Sequence, residues 1–252
     1  MTIISHKYKL IFLKTRKTAG SSIEASLARY CGPGDIISTS VDAENHGIPK
    51  RTNDVIRFRE LGASGWKYYL KSASSHSLQR IMKFRMPERK KLVPKYAQHM
   101  PALDLRDLIG AELWNDYYKV CFERNPYDRL VSFYYWRMKR FKIDYSFNDF
   151  ARAVLTGNSR QQKKLGAQDF SNLPFYFDRD EVVVDFIGKF ENLNEDLACI
   201  CKNCGIEFDR WLPKAKSATR KNRQYRDMYS SELRMLADEA FGLEKKLFGY
   251  EF

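Results

Sequence analysis

The sequence predicts an α/β protein, a three-layer α/β/α arrangement around a central parallel sheet. Short apolar runs of strand length recur at residues 8–13, 117–122 and 181–187. Longer stretches with helix start and stop signals separate them. The run Glu181–Ile187 is nearly continuous in Val and Ile, as expected where both faces of a parallel strand are covered. Strands alternating with helices point to this architecture.

Taken in order, Tyr8-Lys9-Leu10-Ile11-Phe12-Leu13 reads as a buried strand. The polar, small-residue turn Lys14 to Gly20 follows it. Ser21 and Ser22 then offer N-cap chemistry for a helix through Ile23, Ala25, Leu27 and Ala28, stopped by Cys31-Gly32-Pro33-Gly34. Strand, short loop and capped helix present backbone N–H groups and a positive helix end to an anion. Residues 35–65 are weakly patterned, and Trp66 to Phe84 looks helical with a basic face. A second strand, Tyr117–Phe122, leads through Glu123-Arg124-Asn125 into Pro126. That proline suits the first turn of a helix through Leu130, Val131, Phe133, Tyr134 and Trp136. After the third strand, a helix Leu193–Cys204 ends at Gly205, and another spans about 230–241. No repeat, low-complexity tract or long Pro/Gly/Ser linker divides the chain, so one domain over 1–252 is expected.

Composition narrows the classes. Of 252 residues, 44% are hydrophobic, with 17 Phe, 15 Tyr and 4 Trp, enough for a full core, which excludes general disorder. No run of about 18 apolar residues offers a membrane span. Leu10–Leu13 is too short for a signal peptide's apolar core of about 7–15 residues, and basic residues follow it, so a soluble, cytoplasmic chain is expected. Lys plus Arg number 44 against 31 Asp plus Glu, a net charge of +13. Such a field favours polyanions: nucleic acid, anionic membrane, a phosphorylated cofactor or an acidic polysaccharide. Five cysteines, an odd number, argue against a disulfide scaffold. Cys199, Cys201 and Cys204 invite a zinc reading, but on a helix the first two point about 200° apart, so core or surface roles are expected.

Two segments carry chemistry. Lys17-Thr18-Ala19-Gly20-Ser21-Ser22 lacks the glycine–lysine order of a nucleotidase P-loop, yet its mechanics are similar. Small residues admit an anion to the backbone, hydroxyls add donors, and Lys17 supplies a mobile charge. An ordinary strand–helix turn with a basic surface fits the same residues. The second segment is Arg124-Asn125-Pro126-Tyr127-Asp128-Arg129-Leu130-Val131-Ser132. Arg124 and Ser132 are suitable donors to one phosphate if the strand–helix loop folds back over the two intervening helical turns, about 11 Å. Asp128 and Arg129 read equally well as cap and salt-bridge residues on the helix surface.

In this order the two segments resemble the sulfotransferases that use 3′-phosphoadenosine-5′-phosphosulfate. Lys17 to Ser22 is similar to that superfamily's 5′-phosphosulfate loop, and Arg124 to Ser132 to its 3′-phosphate motif. Asp185-Phe186-Ile187-Gly188-Lys189-Phe190-Glu191-Asn192-Leu193, Tyr225-Arg226-Asp227-Met228-Tyr229 and Phe248-Gly249-Tyr250 resemble the carbohydrate branch, sulfotransferase family 2-like. Glu123, Lys14 and Arg16 depart from the branch pattern.

The resemblance implies a P-loop-like sulfotransferase fold, the phosphosulfate nucleotide as donor, adenosine 3′,5′-bisphosphate as product, no metal, and a carbohydrate hydroxyl as acceptor. Lys17 would reach the bridging oxygen, with Thr18, Ala19, Gly20, Ser21 and Ser22 around the 5′-phosphate and Arg124 and Ser132 on the 3′-phosphate. Arg220, in a basic loop within 212–228, would contact the donor from above, and residues 35–95 would form an acceptor-side insertion. His99, in Tyr96-Ala97-Gln98-His99-Met100-Pro101-Ala102, resembles the catalytic base, with His76 the second candidate and His6 and His46 surface residues. Tyr135 and Trp136 could border the acceptor cleft. Arg137, Lys139, Arg140 and Lys142 read as a solvated face or as a receiver of an anionic glycan. A small-molecule alcohol or phenol is an alternative acceptor. A P-loop-like kinase or hydrolase lacks the glycine–lysine order and a magnesium carboxylate. A nucleic-acid-binding protein would lack any recognition signature.

Overall fold

The computed structural model describes residues 2–38, 55–57, 92–94, 96, 99–142, 144–157, 159–165, 167, 170–213 and 224–252. The helix expected over Trp66–Phe84, His46, His76 and Arg220 lie outside them.

Strands β1 (Thr2–Ser5) and β2 (Leu10–Leu13) form an antiparallel hairpin with Thr2 opposite Leu13. β3 (Ile36–Ile37) runs antiparallel on the far side of β1. Two short strands, β4 (Val55–Arg57) and β5 (Leu92–Pro94), pair with each other. β6 (Tyr118–Glu123) lies parallel to β2, and β9 (Phe186–Lys189) parallel to β6, so the sheet order is β3-β1-β2-β6-β9. β7 (Phe177–Asp178) and β8 (Glu181–Val182) make a separate hairpin. The helices are α1 (Gly20–Ala28), α2 (Ala102–Ile109), α3 (Ala111–Asp116), α4 (Pro126–Phe141), α5 (Phe147–Leu155), α6 (Ser159–Leu165), α7 (Leu193–Asn203), α8 (Ser231–Ala240) and α9 (Gly242–Phe248).

Strand alternation sorts the core into two faces. Leu10, Phe12, Val120 and Phe122 pack with Ile23 and Leu27 of α1 and Leu197 and Ile200 of α7. Ile11, Leu13 and Cys121 face the other way, against Leu105, Trp114, Phe175 and Tyr176. Every residue of β1 and β2 is buried because helices or loops cover both faces. The result is the expected α/β/α layering, parallel on the β2-β6-β9 side. A third cluster joins Tyr127, Leu130 and Phe133 of α4 to Phe147 and Phe150 of α5 and Leu233 of α8.

Three expectations change. The third strand is not continuous over Glu181–Ile187. Arg179 and Asp180 both take left-handed φ, 44° and 70°, which folds the Val-rich run back as a tight hairpin and leaves Val182 46% exposed. The strand restarts at Phe186, after Asp185 Oδ2 accepts Lys119 N at 2.7 Å. The first helix begins at Gly20, and its N-cap is left-handed Ala19, so Ser21 and Ser22 sit within the first turn. Thr2–Ser5 is a strand that the short apolar pair Ile3-Ile4 did not announce.

Candidate active site

The loop from β2 to α1 is tied down at several points. Thr15 Oγ1 donates to Phe122 O at the end of β6 and lies 2.7 Å from Thr18 Oγ1. Both threonines are buried, so the Thr18 hydroxyl holds the loop together from inside. Lys17 and Ala19 take left-handed φ, 64° and 59°, on either side of Thr18. Such alternation of hand turns successive N–H groups toward one side, as in anion-binding nests. Ala19 O accepts from Ser22 N and Ile23 N at 2.8 and 3.2 Å, which starts the helix and leaves the earlier N–H groups without intrahelical acceptors.

Lys14 crosses this start. Its Nζ lies 3.1 Å from both Ser21 Oγ and Glu24 Oε2, and lysine and glutamate are both buried. Gly20 makes room for it, since a Cβ there would sit 2.7 Å from Lys14 Cγ.

The second segment folds as its signals predict. Asn125 caps α4, its side chain accepting Tyr127 N at 3.1 Å, and Pro126 occupies the first turn. Arg124 then reaches back. Its Nε donates to Asp128 Oδ2 at 2.9 Å, Nη2 reaches the same oxygen, and Nη1 donates to Lys17 O at 3.1 Å. The guanidinium stacks 4.0 Å from the Phe190 ring centroid. Asp128, Ser132 and Trp136 follow one another at helical spacing along one face of α4. Lys17 Nζ lies 5.5 Å from the Trp136 ring. Arg124 therefore sits at the Asp128 end of this face and the Lys17 ammonium at the Trp136 end.

The other segments singled out in the sequence converge on the start of α4. Asn125 N donates to Glu191 Oε1 at 2.7 Å, and Tyr250 OH to Glu191 Oε2 at 3.2 Å. Asn125 Nδ2 donates to Glu251 O at 2.8 Å, and Tyr229 OH to Tyr127 O at 2.9 Å.

His99 joins the first loop from the opposite side. It takes a left-handed φ of 58°, and its Nδ1 lies 2.9 Å from Lys14 O. A carbonyl only accepts, so Nδ1 carries the proton and Nε2 holds the lone pair of the neutral ring. Desolvation, reinforced by the positive charges of Arg16 and Lys14, holds His99 well below the usual histidine range. Its ring meets Phe175 edge-on at 6.2 Å, and the Arg16 guanidinium lies 5.0 Å from the same ring. His6 is an exposed partner of Tyr117 OH at 2.6 Å, as a surface residue should be.

Two arginines differ from expectation. Arg129 is fully buried rather than on the helix surface, pairing with Glu123 Oε1 at 2.6 Å and Glu244 Oε1 at 3.2 Å. A charge can be inside only because two carboxylates meet it there. Arg137 is buried as well, stacked 4.6 Å from Trp136 and 4.9 Å from Phe133, whereas Lys139, Arg140 and Lys142 are exposed. Cys199 is exposed and Cys201 buried, so the two do point apart. Among the described residues, no group of three His, Cys, Asp or Glu is placed to hold a metal, and no helix is long and apolar enough to cross a membrane.

Parallel strands thus end at a loop rich in N–H groups, with Arg124 at the start of the facing helix and the Lys17 ammonium beside its Trp136, an arrangement whose chemistry suits an anion. The sequence profile of the sulfotransferase family matches residues 1–251, and the chain belongs to that family. It is also similar to an uncharacterised protein of Archaeoglobus fulgidus, 39% identical over 110 residues, 42% of this chain and 83% of that one. A crystal structure of a sulfotransferase from Alicyclobacillus acidocaldarius aligns over 97% of this chain and 96% of its own at 16% identity, with a TM-score of 0.44.

Proposed function

We propose that this sulfotransferase moves a sulfuryl group from 3′-phosphoadenosine-5′-phosphosulfate to a hydroxyl of a carbohydrate. The observation that carries the reading is the convergence of Lys17, Arg124 and His99 on the single loop after β2. The residues fit such a donor: the left-handed backbone at Lys17 and Ala19 and the start of α1 suit a 5′-phosphate. Arg124 has two of its five N–H groups that no described residue uses, and with Ser132 on the adjoining helical turn it suits the 3′-phosphate. When bound, the donor supplies a sulfuryl group on a good phosphate leaving group. A sulfuryl group carries less charge than a γ-phosphoryl group, so we read the transfer as metal-independent.

His99 Nε2 takes the proton of the acceptor hydroxyl as that oxygen bonds to sulfur. Lys17 meets the charge that builds on the phosphate oxygen as its bond to sulfur breaks. Ser21, Ser22 and the N–H groups of Ala19 and Gly20 hold the 5′-phosphate still. The exposed cations Lys139, Arg140 and Lys142, just beyond Trp136, suit an acidic saccharide. We read residues 1–252 as one unit, with 35–95 on the acceptor side and Arg220 in a segment over the donor.

The test is thermal unfolding with ligands. Adenosine 3′,5′-bisphosphate without magnesium should raise the melting temperature in proportion to the logarithm of its concentration. Stabilisation by ATP with magnesium but not by the bisphosphate would replace this reading with a kinase or hydrolase.

A further inference from the structure

Two buried side chains that touch neither proposed phosphate tie the two anion-binding segments together. Glu123 ends β6 with no exposed surface, where a lone carboxylate would be costly. Its Oε1 accepts from Arg129 Nη1 at 2.6 Å, Arg124 N at 2.9 Å and Asn172 Nδ2 at 3.1 Å. Oε2 accepts from Tyr176 OH at 2.9 Å. Asn172, equally inaccessible, closes on the backbone of Arg16: Oδ1 accepts Arg16 N at 2.8 Å and Nδ2 donates to Arg16 O at 3.1 Å. The amide orientation follows from its partners, since Arg16 N only donates and the Glu123 carboxylate only accepts.

With Arg124 Nη1 on Lys17 O, the bonds form a closed ring. It runs from Glu123 through Asn172 to the Arg16–Lys17 backbone, across to Arg124, and back to Glu123 through the Arg124 N–H. The backbone pairing of β2 with β6 stops at Phe12 and Val120, short of both cations. Beyond that point the Thr15 hydroxyl on Phe122 O and this ring hold the first loop to the end of β6. Both oxygens of Glu123 and both polar atoms of the Asn172 amide are bonded, and buried polar groups satisfied in this way lock one another's geometry, although Arg129 Nε meets no acceptor among the described residues. Arg129 sets a positive charge beside the buried Glu123 carboxyl, and its Nη2 meets Glu244 on α9.

We infer that Glu123 and Asn172 are positioning residues that set the distance between Lys17 and Arg124, and with it the selectivity for a nucleotide phosphorylated at both its 3′ and 5′ positions. The inference rests on the proposed reading of the two segments as phosphate sites. Neither residue needs to meet the nucleotide. Each loop can still take a phosphate when the ring is cut, but the two lose their fixed separation.

The experiment measures the affinity of the full chain for adenosine 3′,5′-bisphosphate and for adenosine 5′-monophosphate by calorimetry. Wild type should prefer the bisphosphate. Asn172→Ala should weaken the bisphosphate roughly tenfold, the scale of a lost buried hydrogen bond, while the monophosphate changes far less, so the preference collapses. A loss of packing alone would weaken both alike. If Asn172→Ala does not fold by circular dichroism, Asn172→Asp keeps the volume but loses both donors and sets a carboxyl against Glu123. The new carboxyl lies among Arg129, Arg124, Arg16, Glu244, Tyr176 and Tyr250, and its protonation would return one donor toward Glu123. The preference in this variant should therefore be lost at high pH and recover as pH falls, relative to wild type. A folded Asn172→Ala with wild-type preference, or an Asn172→Asp with unchanged preference at every pH, would overturn the inference and leave the donor reading standing. A wild type without preference would overturn the donor reading itself.

Discussion

His99 makes the strongest claim at the scale of single residues. Its Nδ1 is committed to Lys14 O, so in the proposed mechanism a neutral ring would offer Nε2 to the acceptor. His99→Ala should lower kcat by about 10²–10⁴, the usual worth of a general base, with nucleotide affinity retained. Lys17→Ala should cost about 10²–10³ in kcat, as loss of one donor to a developing charge does. The pH dependence follows from the direction of the His99 shift. The folded-state value lies below that of an ordinary histidine, so the proposed base stays neutral on acidification past the pH where a free histidine would charge. The acid limb of kcat/KM should therefore fall below about pH 6.5. Stability has the same sign. Between the folded and unfolded values the unfolded chain binds the extra proton, so His99 opposes folding increasingly as pH drops below about 6.5. Arg129 tests burial instead of chemistry. Arg129→Ala would strand Glu123 and Glu244 inside and should destabilise the fold by about 3–5 kcal/mol in denaturant unfolding.

Among the elements, β6 and β9 decide whether the proposed 3′-phosphate site is in place. Gly188 lies on β9 against Phe122 of β6, and a Cβ there would fall 2.7 Å from Phe122 Cδ1. Gly188→Ala should cost about 1–3 kcal/mol through overpacking, read as a lower denaturation midpoint with unchanged slope. Elements with strong local signals were legible before folding. Leu10–Leu13 and Tyr118–Glu123 are short apolar runs, and α4 begins with a proline that suits a first turn. The hairpin at Asp178–Glu181 was not legible, because Arg179 and Asp180 make its turn without the glycine or asparagine that such turns favour. Ala19 as an N-cap escaped for a similar reason: the loop is held by Thr15, Lys14 and Asn172 rather than by a capping side chain.

Across the whole molecule, the two segments proposed to bind anions were visible as motifs because their residue types are local and ordered. What joins them was hidden. Glu123 ends an otherwise apolar strand, the one local hint, while Asn172, Tyr176 and Glu244 come from far along the chain, and they and the nearby Arg129 resemble surface residues until the sheet and α9 bring them inside. The excess of positive charge, +13, is likewise distributed by the fold. Part is spent internally, as at Lys14, Arg129 and Arg137, and part stays exposed at Lys139, Arg140 and Lys142. Steering by the exposed part should make association with an anionic acceptor or donor slower as salt rises, measurable as an ionic-strength dependence of kcat/KM. The most direct measurement of the whole account is a crystal structure of the chain with adenosine 3′,5′-bisphosphate. It should show the 5′-phosphate at Lys17 and the N–H groups that open α1, and the 3′-phosphate at Arg124 and Ser132. A nucleotide lying away from either cation would contradict it.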